Sequence, residues 1–421
     1  MPHYDWIWGD PPPLLKRHSE VKHALLRNYL IDYFLTLVSM PQQDKIQLTI
    51  VDGFCGGGLY QNESGQEVPG SPLVILEAIR EAEVLVNERQ ERRKPIKIDV
   101  ELICIDGCSY ALDYLGHVLD ERGYGGGVAT GIIKLVKGKF ADHCGAAIQR
   151  AHSRSPRSGR GLFVLDQYGY SAVPMSCLRD IFAKLKHAEV ILTFYIDSLI
   201  SYLNEKNLAD FELSTGMHSS VRAADLDEIK QSPRWRVQLQ SSLYQSLTSQ
   251  CSAQFYTPFF IRPERGHGDF WLLHLSQHWK ARDVMATTHW QHHNHFAHYG
   301  KAGFHMFSTG YIGKIDDENR LQMGFDFSEV AATVSKETMM AQIPAMLFEG
   351  ADGMTFEQFF LGLINTTPAT RNMVEATLLE LHQSGEIMVM DDAGDASKAR
   401  VKLKADHVLR LPSQRTFNFS I

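Results

Sequence analysis

Thr49-Ile50-Val51-Asp52-Gly53-Phe54-Cys55-Gly56-Gly57-Gly58 is the stretch that decides how the rest of the chain is read. A β-branched apolar run ends in an acid, and glycines follow at once. Physically this is a buried strand that delivers its carboxyl end into a loop whose backbone approaches a ligand closely. Glycine supplies such a loop with positive φ and leaves no side chain in the way. In an open α/β sheet the mouth beyond the first strand is where nucleotide-like ligands bind.

The spacing narrows the ligand. Asp52, Phe54, Gly56 and Gly58 follow the D-x-F-x-G-x-G pattern that adenosylmethionine-dependent DNA and RNA methyltransferases carry after strand one. The acid holds the ligand's amino group and the glycine backbone passes under its amino-acid portion. No Gly-Lys-Ser/Thr follows, which argues against a P-loop. Phe54 stands where a G-x-G-x-x-G fingerprint has its first glycine, which argues against NAD. S-adenosylmethionine is therefore the expected ligand, and a tight turn with no ligand is the plain alternative.

Outward from this loop, strands and helices alternate. An aromatic, proline-rich lead-in (Trp6, Trp8, Pro11 to Pro13) cannot be helical, and Ser19 reads as the N-cap of a helix over Val21–Val38. Strands are predicted at Ile46–Val51, Ile98–Ile105, Gly131–Val136, Leu162–Leu165 and Glu189–Tyr195, with helices between them and a polar insertion over Tyr60–Gly70. Ala253–Ile261 and Asp269–Leu275 then read as a hairpin that closes the sheet with one antiparallel strand. The expected fold is a doubly wound, mostly parallel, seven-stranded Rossmann-like methyltransferase sheet over residues 46–313, preceded by the lead-in and helix of residues 1–45. Residues 335–421 read as a winged-helix domain: three helices, the last opened by Thr367-Pro368, and a wing over Ile387–Met390 and Val401–Lys404.

Bulk composition excludes several classes. A net charge of −7 and a pI near 6.2 provide no global field for nucleic acid, so such binding needs a local patch. No apolar run reaches the roughly 18 residues that cross a bilayer, and the N-terminus lacks a signal-peptide pattern. Six scattered cysteines, with no second pair beside Cys104 and Cys108 to complete a zinc set, read as buried thiols of a cytoplasmic protein.

The remaining site residues follow from position. Asp106 ends the second strand, where a carboxylate takes both ribose hydroxyls. Phe140 or Asp142, after the third strand, faces the adenine. Asp166-Gln167-Tyr168-Gly169-Tyr170 follows the fourth strand at the reacting end of the donor. Amino-methyltransferases place an Asp/Asn-Pro-Pro-aromatic loop there to hold an amine and stack its base. Asp166 with Tyr168 or Tyr170 fits that logic, although both prolines are missing. No cysteine stands after strand four, which disfavours carbon-5 methylation of cytosine. His274 and His278, and His289 and His293, are four apart within a histidine-dense stretch that runs to His305. No carboxylate joins them in a recognised motif, so no metal ligand is assigned. Arg150, Arg154, Arg157 and Arg160 form a basic cluster entering strand four, at the end of the sheet away from the site. They read as a solvated loop, with phosphate contact as the sharper alternative.

Several stretches together resemble one family. They are His18-Ser19 with Lys22, Val51 to Gly58, Gly70-Ser71-Pro72, Asp166 to Tyr170, and Ala281-Arg282-Asp283-Val284-Met285 followed by His298-Tyr299-Gly300. Over roughly Trp6 to Gly313 the chain resembles the bacterial three-Cys-motif partner proteins. Members commonly show Phe-Ala-Gly-Pro-Gly after strand one and Asp-Pro-aromatic-Gly after strand four; here Cys55-Gly56-Gly57 and Gln167 depart from that pattern. The resemblance implies a methyltransferase-like domain that accompanies a protein with a three-cysteine, radical-type motif, linked to mobile elements or phage defence. The leading expectation is a methyltransferase acting on nucleic acid, on a base amine, with nucleic acid and the three-cysteine protein as partners. A non-catalytic partner protein is the second, and a metal-dependent nuclease the third.

Overall fold

The computed structural model describes residues 4–38, 45–89, 94–195, 200, 204–232, 235–261, 270–291, 296–297, 329–350, 353–391, 394–395 and 403–412. The chain divides into two compact units, Met1–Ala297 with Gly310–Leu321, and His298–Thr309 with Gln322–Ile421.

In the first unit, helix α1 (Arg17–Leu37) precedes strand β1 (Lys45–Asp52). A hairpin of β2 (Leu59–Gln61) and β3 (Glu67–Pro69) leads to helix α2 (Ser71–Arg89). Strand β4 (Lys97–Asp106), helix α3 (Ser109–Glu121) and the single turn α4 (Gly125–Ala129) follow, then strand β5 (Ile133–Lys137). Helix α5 (Phe140–Arg154), strand β6 (Arg160–Leu165), helix α6 (Met175–Lys184) and strand β7 (His187–Tyr195) complete the alternation. Strands β8 (Phe255–Ile261), β9 (Phe270–Ser276) and β10 (Phe296–Ala297) come last.

The strand order is β5-β4-β1-β6-β7-β9-β8-β10. Strands β5 to β7 are parallel, and β9 runs against both β7 and β8. This is the predicted seven-stranded Rossmann-like sheet, with β10 added as a two-residue edge. Leu48, Ile50, Leu102, Ile105, Leu162 and Leu165 are fully buried, as expected for parallel strands covered on both faces. From β1 the chain builds outward to β4 and β5 on one side and to β6 and β7 on the other. The carboxyl ends of β1 and β6 therefore flank the switch point, where such sheets open a crevice.

Helix α1 is stitched into this unit along its length. Arg27 pairs with Glu81 on α2, and Asp32 accepts from the Thr288 hydroxyl of the helix Trp279–Gln291 at 2.9 Å. The Tyr29 hydroxyl donates to Glu189 on β7, and His274 Nε2 on β9 lies 3.1 Å from both. The expected cap at Ser19 is not formed: α1 starts one turn earlier, after Lys16, and the Ser19 amide donates to the Lys16 carbonyl at 2.8 Å. The polar insertion is the β2–β3 hairpin, to which the lead-in pairs through Leu14 and Gln61.

The basic cluster has a structural task. Arg150 and Arg154 lie on α5. Arg150 and Lys134 reach the buried Glu101 at 2.7 Å each, while Arg154 and Lys45 pair with Asp99. A carboxylate inside a parallel sheet requires such partners, so Arg150 and Arg154 serve β4 and are not part of a free phosphate-binding loop.

The second unit is a winged helix. Its helices span Glu329–Glu349, Phe356–Leu363 and Arg371–Ser384. Strands β11 (Met354–Thr355), β12 (Met388–Asp391), β13 (Gly394–Asp395) and β14 (Val408–Arg410) form a sheet of order β11-β14-β12-β13. The second helix opens with a full capping box between Thr355 and Gln358. The third is capped by Thr370, whose hydroxyl accepts from the Met373 amide. Thr367, predicted as that cap, instead closes a turn onto the Ala369 amide at 3.1 Å. The wing has a strand at Val408–Arg410; of the predicted return strand Val401–Lys404, Leu403 is buried and neither it nor Lys404 is in a strand, and Val401 lies outside the described residues. Lys398, Arg400 and Lys402 lie outside the described residues.

Candidate functional site

The glycine loop leaves β1 as a closely packed backbone. Gly56 and Gly58 have φ of 57° and 78°, which L side chains rarely adopt. A Cβ on Gly53 would lie 2.7 Å from Leu165 and 2.9 Å from Phe140; one on Gly57 would lie 2.3 Å from the Trp6 ring. Asp52 is fully buried beneath this loop. Its Oδ1 accepts from the Phe54 amide at 3.3 Å, and its Oδ2 makes no well-formed hydrogen bond. Burial pushes its carboxyl up to about 7; the Ser71 hydroxyl and the Phe54 amide oppose the rise, and Asp166 and Asp106 reinforce it.

Asp106, at the end of β4, ties the loop in place. Its Oδ2 accepts from the Gly56 amide at 3.0 Å and its Oδ1 from the Cys108 amide at 2.8 Å. Phe140, at the start of α5, is 1% exposed; its ring packs beneath Gly53 and sits 6.3 Å from Phe54 and 6.5 Å from Phe163. Asp142, in the first turn of α5, is exposed.

The acceptor end holds an ion pair. Lys22 Nζ, from the first turns of α1, lies 2.6 Å from both carboxylate oxygens of Asp166, which follows β6. The Lys22 side chain is 11% exposed and that of Asp166 is 35% exposed. Burial pushes the Asp166 carboxyl upward, but Lys22 and the Thr193 hydroxyl outweigh it and hold the group below its ordinary value. Gln167, where prolines were expected, is 2% exposed and folds the loop back: its Oε1 accepts from the Ala172 and Val173 amides at 3.0 Å each. Tyr170 packs against Phe194 and Phe211, whereas Tyr168 is 57% exposed.

An aromatic roof completes the mouth. Tyr4, Trp6, Tyr60 and Tyr114 form a continuous cluster, with Trp8 stacked on His117 at 4.7 Å. His23, next to Lys22, is pushed down to about 4 by burial and by the Lys22 charge. It is a neutral imidazole at pH 7. The sequence leads one to expect the aromatic lead-in and the helix from His18 to Val38 to close over the pocket, but it does not mark Lys22, His23 or Tyr4 as individual site residues. The one signal for Lys22 was its place beside His18-Ser19 among the residues that carry the family resemblance, and nothing in the chain announces its contact 144 residues away.

Other candidates fall elsewhere. His274 lies on strand β9 and His278 in the loop after it, so their spacing is not that of a helical pair. His289 is buried and stacks on Phe259 at 3.3 Å between centroids. His292, His293, His295, His298 and His305 lie outside the described residues. Among the described residues no group of His, Cys, Asp or Glu is arranged to hold a metal ion. All six cysteines are free, and burial together with neighbouring Cys104 pushes the Cys55 thiol well up. A cavity of about 380 Å³ lined by Phe182, His187, Gln277 and His278 sits where β7 begins, at the far end of the sheet from the mouth. No helix among the described residues is long and apolar enough to cross a membrane.

Residues 313–394 match the family model described as the GMT-like wHTH domain. No curated protein sequence matches the chain. Among solved structures, a Legionella pneumophila protein is similar at 9% identity and a TM-score of 0.32, covering 61% of this chain and 85% of that one. An rRNA-methylase described from Clostridium thermocellum is similar at 9% identity and a TM-score of 0.26, over 54% and 88%. A methyltransferase described from Streptococcus mutans, in complex with SAH, is similar at 11% identity and a TM-score of 0.27, over 62% and 99%.

Proposed function

We propose that the first unit binds S-adenosylmethionine at the mouth of β1 and transfers its methyl group to a nucleic acid. The observation that carries this reading is the buried Asp52 carboxyl beneath a loop of positive-φ glycines: its Oδ2 makes no well-formed hydrogen bond, and besides the Phe54 amide only the nearby Ser71 hydroxyl favours the charged form. A buried acceptor without a partner is costly, and an ammonium group would satisfy it. In this reading Asp52 takes the donor's amino group, and Gly56, Gly58 and Phe54 flank its amino-acid portion. Asp106 has lone pairs left over from two backbone amides for ribose hydroxyls, and Phe140 supports the loop from below. The bound molecule would supply one activated methyl group. Lys22, Asp166 and the exposed Tyr168 would meet the acceptor. A base amine is the acceptor implied by the loop position alone. A cytoplasmic setting fits six free thiols.

Calorimetry tests the binding half. Saturable heat is expected on titrating S-adenosylmethionine into the protein, and it should weaken strongly in Asp52→Asn. No heat at millimolar ligand would overturn the assignment.

A second reading is a non-catalytic partner protein of the three-Cys-motif type, whose winged helix docks another protein. What favours it is the acidic character of that unit: from Ala341 onward the sequence has seven Lys and Arg against ten Asp and Glu. Co-purification with a neighbouring gene product, without methyl transfer to any nucleic acid, would single it out.

A further inference from the structure

We propose that the Lys22–Asp166 pair makes this an oxygen-acceptor site, so that on a nucleic acid the group it takes is the ribose 2′-hydroxyl of RNA and not a base amine. The proposal rests on the methyltransferase reading above and deepens it.

The sign of the charge that develops at the acceptor separates the two chemistries. When a neutral amine nitrogen takes a methyl group it becomes cationic, and a bare carboxylate beside it stabilises that charge. Here both oxygens of Asp166 face the Lys22 ammonium at 2.6 Å, and the pair as a whole is neutral. An ammonium at that distance opposes a growing positive charge on nitrogen. A hydroxyl oxygen develops the opposite character: as its proton leaves, negative charge accumulates, which a neighbouring ammonium stabilises and a carboxylate assists by accepting the proton. The balance is complete. The hydroxyl oxygen forms the new carbon–oxygen bond, and the carbon–sulfur bond of the donor breaks with its electron pair left on sulfur. The hydroxyl proton passes to Asp166 and then to solvent.

The surroundings agree. The pair joins α1 to the loop after β6, and α1 is anchored further along by Tyr29, Asp32 and Arg27. Lys22 is thus held in place by the fold and does not reach in from a loose tail. About a third of the Asp166 side chain is exposed, which leaves an acceptor room to meet it. Gln167 holds the loop through the Ala172 and Val173 amides, so the missing prolines do not leave Asp166 unsupported. Tyr168, exposed in the same loop, is available to stack a base while its ribose meets the pair.

The test uses the full chain and two labelled single-stranded probes of identical sequence, an oligoribonucleotide and its deoxy counterpart. In fluorescence anisotropy without donor, the wild type should bind the ribo probe on the order of tenfold more tightly, because the 2′-hydroxyl is what separates the two polymers. Lys22→Met should erase that preference and Lys22→Arg should retain most of it, with a cooperative thermal transition above the assay temperature showing that each variant is folded even where loss of the pair lowers its melting temperature. With isotopically labelled S-adenosylmethionine, the label should appear in ribose-methylated nucleosides and fall about a hundredfold in Lys22→Met. Equal affinity for the two probes, a preference that survives Lys22→Met, or label on a base nitrogen would each overturn the proposal. Failure of the parent reading looks different: no binding of S-adenosylmethionine in the calorimeter, whatever the probes show.

Discussion

Asp52 sets a pH dependence of its own. In the unfolded chain its carboxyl loses its proton in the ordinary carboxylate range, whereas burial in the folded chain delays that loss to about 7. Between the two the folded state holds the extra proton, so its contribution to stability falls as pH rises through that window. Above pH 7 the cost is full, on the order of a few kcal/mol. Asp52→Asn should therefore melt higher than wild type at pH 8 and nearly coincide with it at pH 4, while losing donor affinity. Paired thermal scans at the two pH values check this; an equal shift at both would exclude Asp52 as the titrating group. His23 acts on the acid side. Unfolded, it takes a proton near 6.5; folded, it resists to about 4. Its contribution falls as pH drops through that interval, and His23→Asn should flatten the acid limb of the stability profile. These residues also show what the sequence discloses. Asp52 and the glycines were legible because a strand, an acid and a tight loop are local. The pairing of Lys22 with Asp166 was not, because a spacing of 144 residues encodes no geometry. His274 and His278 misled for a related reason: a separation of four suits a helix only where there is one, and His274 is on a strand.

At the scale of elements, α1 and the lead-in are built as part of the sheet. The buried Tyr29–Glu189–His274 group joins α1 to β7 and β9. Tyr29→Phe keeps the ring and removes the hydroxyl, leaving Glu189 with His274 as its remaining partner in that group. The expected cost is about 1–3 kcal/mol, with amide exchange rising along α1 more than along β4. Protection in α1 that stays unchanged in Tyr29→Phe would show that the helix is held by its other contacts, including Arg27 with Glu81 and Asp32 with Thr288. The lead-in depends on a gap that only glycine leaves. Gly57→Ala would set a methyl group 2.3 Å from the Trp6 ring, so Trp6 must move. A red shift of tryptophan emission is expected, because the side chain is now 8% exposed. Helices and strands here were predictable from periodicity, yet their ends were settled by contacts. Ser19 yielded the start of α1 to Lys16, and Thr367 yielded the cap of the last helix to Thr370. Two threonines beside a proline carry the same local signal, and the hydrogen bonds that the rest of the fold allows choose between them.

At the scale of the whole molecule, charge separates the two units' dealings with nucleic acid. A winged helix that reads duplex DNA lays its third helix in the major groove and meets phosphates with Lys and Arg. That helix, Arg371–Ser384, carries Arg371 against Glu375 and Glu380. Arg371 is placed over the rings of Phe356 and Phe360, at 4.6 and 5.7 Å, as part of the unit's own packing. Glu380 pairs with Lys336 of the first helix at 2.5 Å, which consumes a cation without creating a basic face. With a net charge of −7 over the chain, no general field compensates. Duplex DNA should therefore bind no better than the non-specific range of about 10⁻⁴–10⁻⁶ M, with a shallow dependence on salt, since few phosphates are neutralised. Glu375→Lys with Glu380→Lys should tighten binding and steepen the salt slope by up to about two charges. The measurement is anisotropy of a labelled duplex across a salt series. Nanomolar, sequence-selective binding by the wild type would mean that residues outside this helix supply the contacts it lacks, and would return DNA docking to the second unit.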